Sequence, residues 1–216
     1  KLNVMNILHE KYGIVESDLI SAELSFVPAF KAVDIGFDHS MIGAYGHDDR
    51  VCAYPALKAI CKCKEPEYTC ITVLADKEEI GSVGNTGLAS EYLNYFVADL
   101  AAAEGLEARH VYTKSTCLSA DVTAAYDPNY ASAYEAGNST YLNRGVGLSK
   151  YTGSRGKSGS NDANAEFVAQ VRKIFDEGDV LWQIGELGKV DQGGGGTVAL
   201  DISRMNADVI DVGVPV

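Results

Sequence analysis

The chain has 216 residues, 46% of them hydrophobic and 22% charged, a balance that suits a globular protein with a buried core. Its formal net charge of −12 excludes nucleic acid and anionic membrane surfaces as expected partners, since both need basic patches. The five cysteines, Cys52, Cys61, Cys63, Cys70 and Cys117, are odd in number and follow no disulfide framework, which points to a reduced, cytoplasmic setting.

In chain order, Leu2, Met5, Ile7 and Leu8 predict a short helix ended by Gly13. Ser21 to Val27 alternates and predicts a half-exposed strand. Residues 1–35 read as the tail of a second, smaller, β-rich subdomain, and 36–216 as the main domain. A glycine-punctuated loop, Gly36 to Gly46, leads into G-H-D-D-R (Gly46 to Arg50). The helix after it carries Val51, Tyr54, Leu57, Ile60 and Cys61 at helical spacing. One Asp there would serve as a cap worth about 1 kcal/mol. Asp48 and Asp49 in succession exceed what a cap needs.

Tyr68 to Leu74 is apolar and β-prone and predicts a buried strand. It runs into D-K-E-E-I-G-S, which sets Asp76, Glu78 and Glu79 at the strand's end. Charges there are costly without compensation, and ligands of open α/β sheets bind outside such strand ends. A helix is predicted over about residues 87–104, with Leu88, Tyr92, Phe96 and Leu100 inward. Thr116 to Val122 brings Asp121 to another strand end. Gly145 to Tyr151 predicts a strand and Thr152 to Ser160 a loop. Asn161 or Asp162 is the expected cap of a helix bearing Phe167, Val168, Val171, Ile174 and Phe175. Val180 to Ile184 and Asp208 to Val214 read as the last strands. Strands alternating with helices define an α/β protein, a mixed, largely parallel sheet flanked by helices.

Two glycine-rich stretches invite a nucleotide reading, which the residues support poorly. R-G-K-S (Arg155 to Ser158) ends like a phosphate-binding loop, but Tyr151 stands where that motif needs its first Gly. Gly193 to Gly196 precedes a helix without a lysine. The carboxylates are the stronger signal. Asp48, the Glu78/Glu79 pair and Asp121 each lie at a predicted junction of strand and helix. Hard oxygen ligands converging at one sheet edge are what a two-metal hydrolase needs, with a further carboxylate to handle protons. The plain alternative for the glutamates is a solvated charge pair.

These residues resemble the aspartyl aminopeptidase family of binuclear zinc metallopeptidases. The resemblance rests on S-M-I-G-A-Y-G-H-D-D-R (Ser40 to Arg50), L-A-D-K-E-E-I-G-S (Leu74 to Ser82), S-A-D-V-T-A-A-Y-D-P-N-Y (Ser119 to Tyr130), K-Y-T-G-S-R-G-K-S-G-S-N-D-A (Lys150 to Ala163) and L-G-K-V-D-Q-G-G-G-G-T (Leu187 to Thr197). The series comes in the family's order. It implies a zinc-peptidase-like α/β/α sandwich that removes N-terminal residues, acidic ones among them, from peptides. By resemblance, Asp48 is the ligand bridging two zinc ions, Glu79 a ligand of one, Asp121 a ligand of the other, and Glu78 the general base. Lys150 falls where some members contact the substrate's first side chain. A homo-oligomer, the family's dodecamer, is implied as well.

The departures set a second expectation. The family's metal site also takes two histidines from segments that would lie before Lys1 and after Val216, and His9, His39, His47 and His110 stand in neither context. Where some members have another histidine, this chain has Ala124. The sequence therefore reads as truncated at both ends. A catalytically silent structural or assembly piece stands as the alternative to a zinc aminopeptidase.

Overall fold

The computed structural model describes residues 1–155 and 158–216. Gly156 and Lys157, in the predicted loop and its R-G-K-S stretch, lie outside the described residues. The chain forms two compact units, Lys1–Tyr45 and Gly46–Val216. Among the described residues no helix is long and apolar enough to cross a membrane.

The first unit opens with helix α1 (Leu2–Tyr12), ended by Gly13 at φ 71° as its sequence requires. Strands β1 (Val33–Ile35) and β2 (Met41–Gly43) form an antiparallel hairpin that pairs Val33 with Gly43. The sequence division at residue 35 would cut this hairpin, so its second strand stays with the first unit. The strand expected over Ser21–Val27 does not form. No residue of this unit is buried, so there is no core on which the apolar face of such a strand could settle. Phe26 is 99% exposed.

The second unit is built on one strand. Its elements run α2 (His47–Lys62), α3 (Tyr92–Ala103), α4 (Ala108–Tyr112), β3 (Thr116–Ser119), β4 (Val122–Thr123), β5 (Val146–Ser149), β6 (Tyr151–Ser154), β7 (Ser158–Asp162), α5 (Ala165–Glu177), β8 (Trp182–Ile184), α6 (Ala199–Ser203) and β9 (Asp208–Pro215). The sheet order is β3-β9-β5-β8, with β4 continuing along β9. Strand β9 pairs parallel with β3 and β4 and antiparallel with β5, while β5 and β8 are parallel. The sheet is mixed and largely parallel, as the α/β alternation predicts.

Successive side chains of β9 point to opposite faces, and each face carries its own core. Ile210 joins Leu148 and the α5 residues Phe167, Val171 and Phe175. Val209 joins Leu88 with Ala199 and Ile202 of α6. Helices thus cover both faces.

Several expectations need correction. Tyr68 to Leu74 is not a strand, because its backbone finds no ladder partner among the described residues, and a strand without one has unpaired polar groups. Instead Ile71 and Leu74 stay 43% and 58% exposed. They line one wall of a groove of about 450 Å³ whose other wall includes Tyr92 and Phe96. Helix α3 starts five residues later than predicted and buries Val97 and Ala101, one position on from the expected face. The predicted loop at Thr152–Ser160 is largely the β6–β7 hairpin. That hairpin takes Asn161 and Asp162 into β7, so the cap of α5 is Asn164, which accepts the Phe167 N–H at 2.8 Å.

Gly213 of β9 is where the sheet meets the candidate site. A Cβ there would sit 2.2 Å from the Asp121 carbonyl oxygen. Gly213→Ala is expected to cost about 1–3 kcal/mol by overpacking, read as a lowered urea midpoint of the full-length protein. An unchanged midpoint would show that the strand yields freely at this point.

Candidate metal centre

The first carboxylates come from the entrance to α2. Gly46 precedes it at φ 82°, and Asp48 (φ −83°, ψ 112°) and Asp49 (φ −114°, ψ 38°) are not helical. The regular helix therefore begins after them, and both aspartates are held on the turn before it. Burial raises the pKa of Asp49, its neighbour Cys52 lowers it, and its Oδ1 is buried with no partner. A buried orphan carboxylate oxygen asks for a cation.

The second contribution is the Glu78–Ile80 turn. Lys77 (φ 65°) and Gly81 (φ 95°) bracket it in left-handed conformations, and Ser82 N–H closes it on the Lys77 carbonyl at 2.8 Å. Its base is fixed by Thr86, whose hydroxyl donates to Asp76 Oδ2 at 3.1 Å. Gly87 is required here, since a Cβ would lie 2.1 Å from the Ser82 carbonyl oxygen. Asp76 is thus tied to the scaffold, leaving Glu78 and Glu79 on the turn itself.

Asp121 stands between β3 and β4, at the strand end its sequence predicts. Its Oδ1 accepts the Val122 N–H at 2.7 Å, and β4 continues parallel to β9 by pairing Val122 with Val214.

These segments converge. Asp48, Asp49 and Asp121 each place one carboxylate oxygen so that all three lie within 4.8 Å of one another. The glutamates adjoin them. Burial raises Glu78 above the usual carboxylate range, and the charges of Asp48 and Asp49 add to it. A shared hydrogen bond with Asp48 raises Glu79, helped by the charges of Asp48 and Glu78. Asp49 is raised by burial and then by Asp48, against the lowering effect of Cys52. Asp121 is pushed up to about 7, first by burial and then by Asp49, Asp48 and Glu78, with the Val122 bond opposing.

Four acids raised in this way, Asp49, Glu78, Glu79 and Asp121, gathered beside Asp48, suit a divalent cation, which would replace their protons. The donor set, all carboxylate, fits zinc as the oxygen part of a coordination shell that usually includes nitrogen or sulfur.

The structure brings together Asp48, Glu78, Glu79 and Asp121. Sequence reasoning missed Asp49 as a site group, and the signal was the second Asp of D-D-R. Lys150 does not join them. It pairs with Asp162, and it lies beside Glu186, which burial raises and the Lys150 charge lowers.

Comparison with known proteins gives one consistent result. A sequence model described as aminopeptidase I zinc metalloprotease (M18) matches residues 1–216. A curated Clostridium acetobutylicum protein named as an M18 family aminopeptidase is 52% identical over 218 residues, covering 99% of this chain and 47% of the relative. The crystal structure of aminopeptidase I from the same organism superposes with a TM-score of 0.90 over 98% of this chain and 46% of that one, at 52% identity. That of the M18 aminopeptidase from Thermotoga maritima gives 0.91 at 46% identity, over 98% and 48%. The chain spans about half the length of the curated relatives it matches.

Burial and mutual repulsion together have a measurable consequence in metal-stripped protein. Asp121 has an ordinary value of 3.8 and a folded value of about 7. Between these pH values the folded state keeps a proton that the unfolded state has lost, so stability falls as pH rises. Glu78, Glu79 and Asp49 act in the same direction. The Tm of metal-stripped full-length protein is expected to drop from about pH 4 to pH 7. Asp121→Asn should flatten that drop, and added zinc should restore Tm at pH 7. A flat wild-type profile would show that burial and repulsion do not raise these carboxylates in solution.

Proposed function

The chain belongs to the aminopeptidase I family of zinc metalloproteases (M18), and from that premise we propose that its protein is a metalloaminopeptidase that hydrolyses the N-terminal residue from peptides. The observation that carries this reading is the convergence of Asp48, Asp49 and Asp121, with Glu78 and Glu79 beside them, from three separate segments.

In this proposal Asp48, Glu79 and Asp121 would hold the zinc, Asp48 serving two ions, Glu79 one of them and Asp121 the other. Zinc held there would supply Lewis-acid polarisation of the scissile carbonyl and a water of lowered pKa. Glu78 takes the proton of the attacking water and returns it to the departing amine. Its raised pKa brings the carboxylate closer to the working pH, where a general base is most effective.

The finer parts of the reading rest on other residues. Lys150 would meet the substrate's first side chain, and an acidic first residue would compete with Asp162 for it. The first unit, Lys1–Tyr45, would serve assembly into a homo-oligomer, the dodecamer implied by the family resemblance. Its support is the lack of any buried residue and the exposure of Phe26. Five free cysteines favour a cytoplasmic location.

A second reading, a catalytically silent structural piece, draws on the donor set. The cluster offers only carboxylates among the described residues, and such a set alone should hold zinc weakly.

Full-length protein should hydrolyse members of an aminoacyl reporter panel when zinc, manganese or cobalt is supplied. No turnover with any metal would favour the silent reading. Glu78→Gln should keep its zinc by metal analysis and lose kcat by about 10²–10⁴-fold, with KM little changed. Near-normal kcat in that variant would remove Glu78 as the base. On the same panel, Lys150→Ala should raise KM for Asp and Glu substrates more than for Leu. An equal effect on all would remove Lys150 from recognition.

A further inference from the structure

Asp211 of β9 has no part in the site described above, yet it is buried, and its Oδ2 has no hydrogen-bond partner. Burying a carboxylate is costly. Burial raises its pKa, against the lowering effect of Thr197 and Ser119. Its ladder neighbours are Ser119 of β3 on one side and Ser149 of β5 on the other. Ser149 is committed elsewhere, because its hydroxyl donates to the Gly185 carbonyl at 2.7 Å. Ser119 is buried too, and its hydroxyl donates to Asp211 Oδ1 at 2.8 Å. An aliphatic side chain would fill this position of β9 at less cost. What the aspartate adds is the bond to Ser119.

We propose that Asp211 is a positioning residue for Asp121, acting through Ser119; this rests on the reading of Asp121 as a zinc ligand. Ser119 is the last residue of β3 and precedes Asp121 closely in the chain. Val122, the residue after Asp121, opens β4 by pairing with Val214. The stretches 119–122 and 211–214 are equal in length, so the register of β3 carries over into β4 with no inserted residue. Ala120 and Asp121 lie outside both strands. The Ser119–Asp211 bond clamps one side of this gap to β9, and the Val122–Val214 pairing clamps the other. Held at both ends, Asp121 meets Asp48 and Asp49 with its ordering cost already met by the fold.

Positioning and stability can be separated at this pair. Asparagine in place of Asp211 still offers Ser119 an acceptor oxygen, whereas valine offers none. Removing both polar partners together leaves neither of them buried and unpaired, a change that can be nearly neutral for stability. A Ser119→Ala/Asp211→Val protein therefore loses the clamp without losing the sheet.

The test uses full-length protein, stripped of metal and titrated with zinc against a competing chelator. The double variant is expected to keep its urea midpoint and to bind zinc about 10-fold more weakly, the low end for groups that orient metal ligands. Asp211→Asn should bind zinc about as tightly as wild type. In the metal-free double variant, amide hydrogen exchange at residues 120–123 should quicken several-fold, with exchange elsewhere in β9 unchanged. Unchanged affinity and exchange in the folded double variant would reduce the pair to sheet packing and overturn the proposal. An Asp211→Asn protein as weak as the double variant would overturn it as well. If the double variant does not fold, Ser119→Ala alone is titrated in its place with the same expectations. A wild type that binds zinc but turns over no peptide would defeat the aminopeptidase reading and leave this one standing. A wild type that binds no zinc would defeat the metal-site reading, and the exchange rates would still decide the clamp.

Discussion

Electrostatic repulsion among Asp48, Asp49, Glu78, Glu79 and Asp121 is the constraint on which the rest of this structure depends. Burial raises a carboxylate pKa and nearby like charges add to it, so Asp121, the most buried of the raised members, moves to about 7. An arrangement like this persists only if the surrounding fold holds it rigidly. The hydrogen bonds from Val122 N–H to Asp121 and from the Thr86 hydroxyl to Asp76 fix two of the segments separately. Neither of them neutralises the shared charge, which leaves that role to a cation.

Strand β9 supplies the rigidity. It lies between β3 and β5, and its alternation seats Ile210 in one core and Val209 in the other. Both faces of the sheet are therefore locked by helices through neighbouring residues of a single strand. The same strand lets Asp121 approach closely at Gly213, where any side chain would collide with its carbonyl. Packing energy from the two cores thus fixes the backbone that carries one of the charged groups. Elsewhere the chain is less covered. Its accessible surface is 15046 Å², against roughly 9,600 Å² for a compact monomer of its mass. The excess includes the apolar groove between residues 71–75 and α3.

Much of this was legible in the sequence where local physics decides. Gly13 ended α1 because a left-handed position favours glycine, and the 3.6-residue pattern of Phe167, Val171 and Phe175 buried one stripe of α5. The motifs D-D-R, E-E-I-G-S and S-A-D located four of the five clustered acids. Asp49 was missed because a cap and a site group look alike in sequence, and only the fold shows it among the clustered acids.

What the sequence determined by itself was the α/β class, the main helices and the identity of the clustered carboxylates, since these follow from side-chain periodicity and chemistry. Tertiary structure decided which β-prone runs became strands. Residues 68–74 and 21–27 have the composition but no partner edge, and a strand exists only through hydrogen bonds to another segment. It also separated Lys150 from the acids by pairing it with Asp162, a contact 12 residues away that only the β6–β7 hairpin creates. Pairing and convergence are relations between distant segments, so no single stretch of sequence contains them.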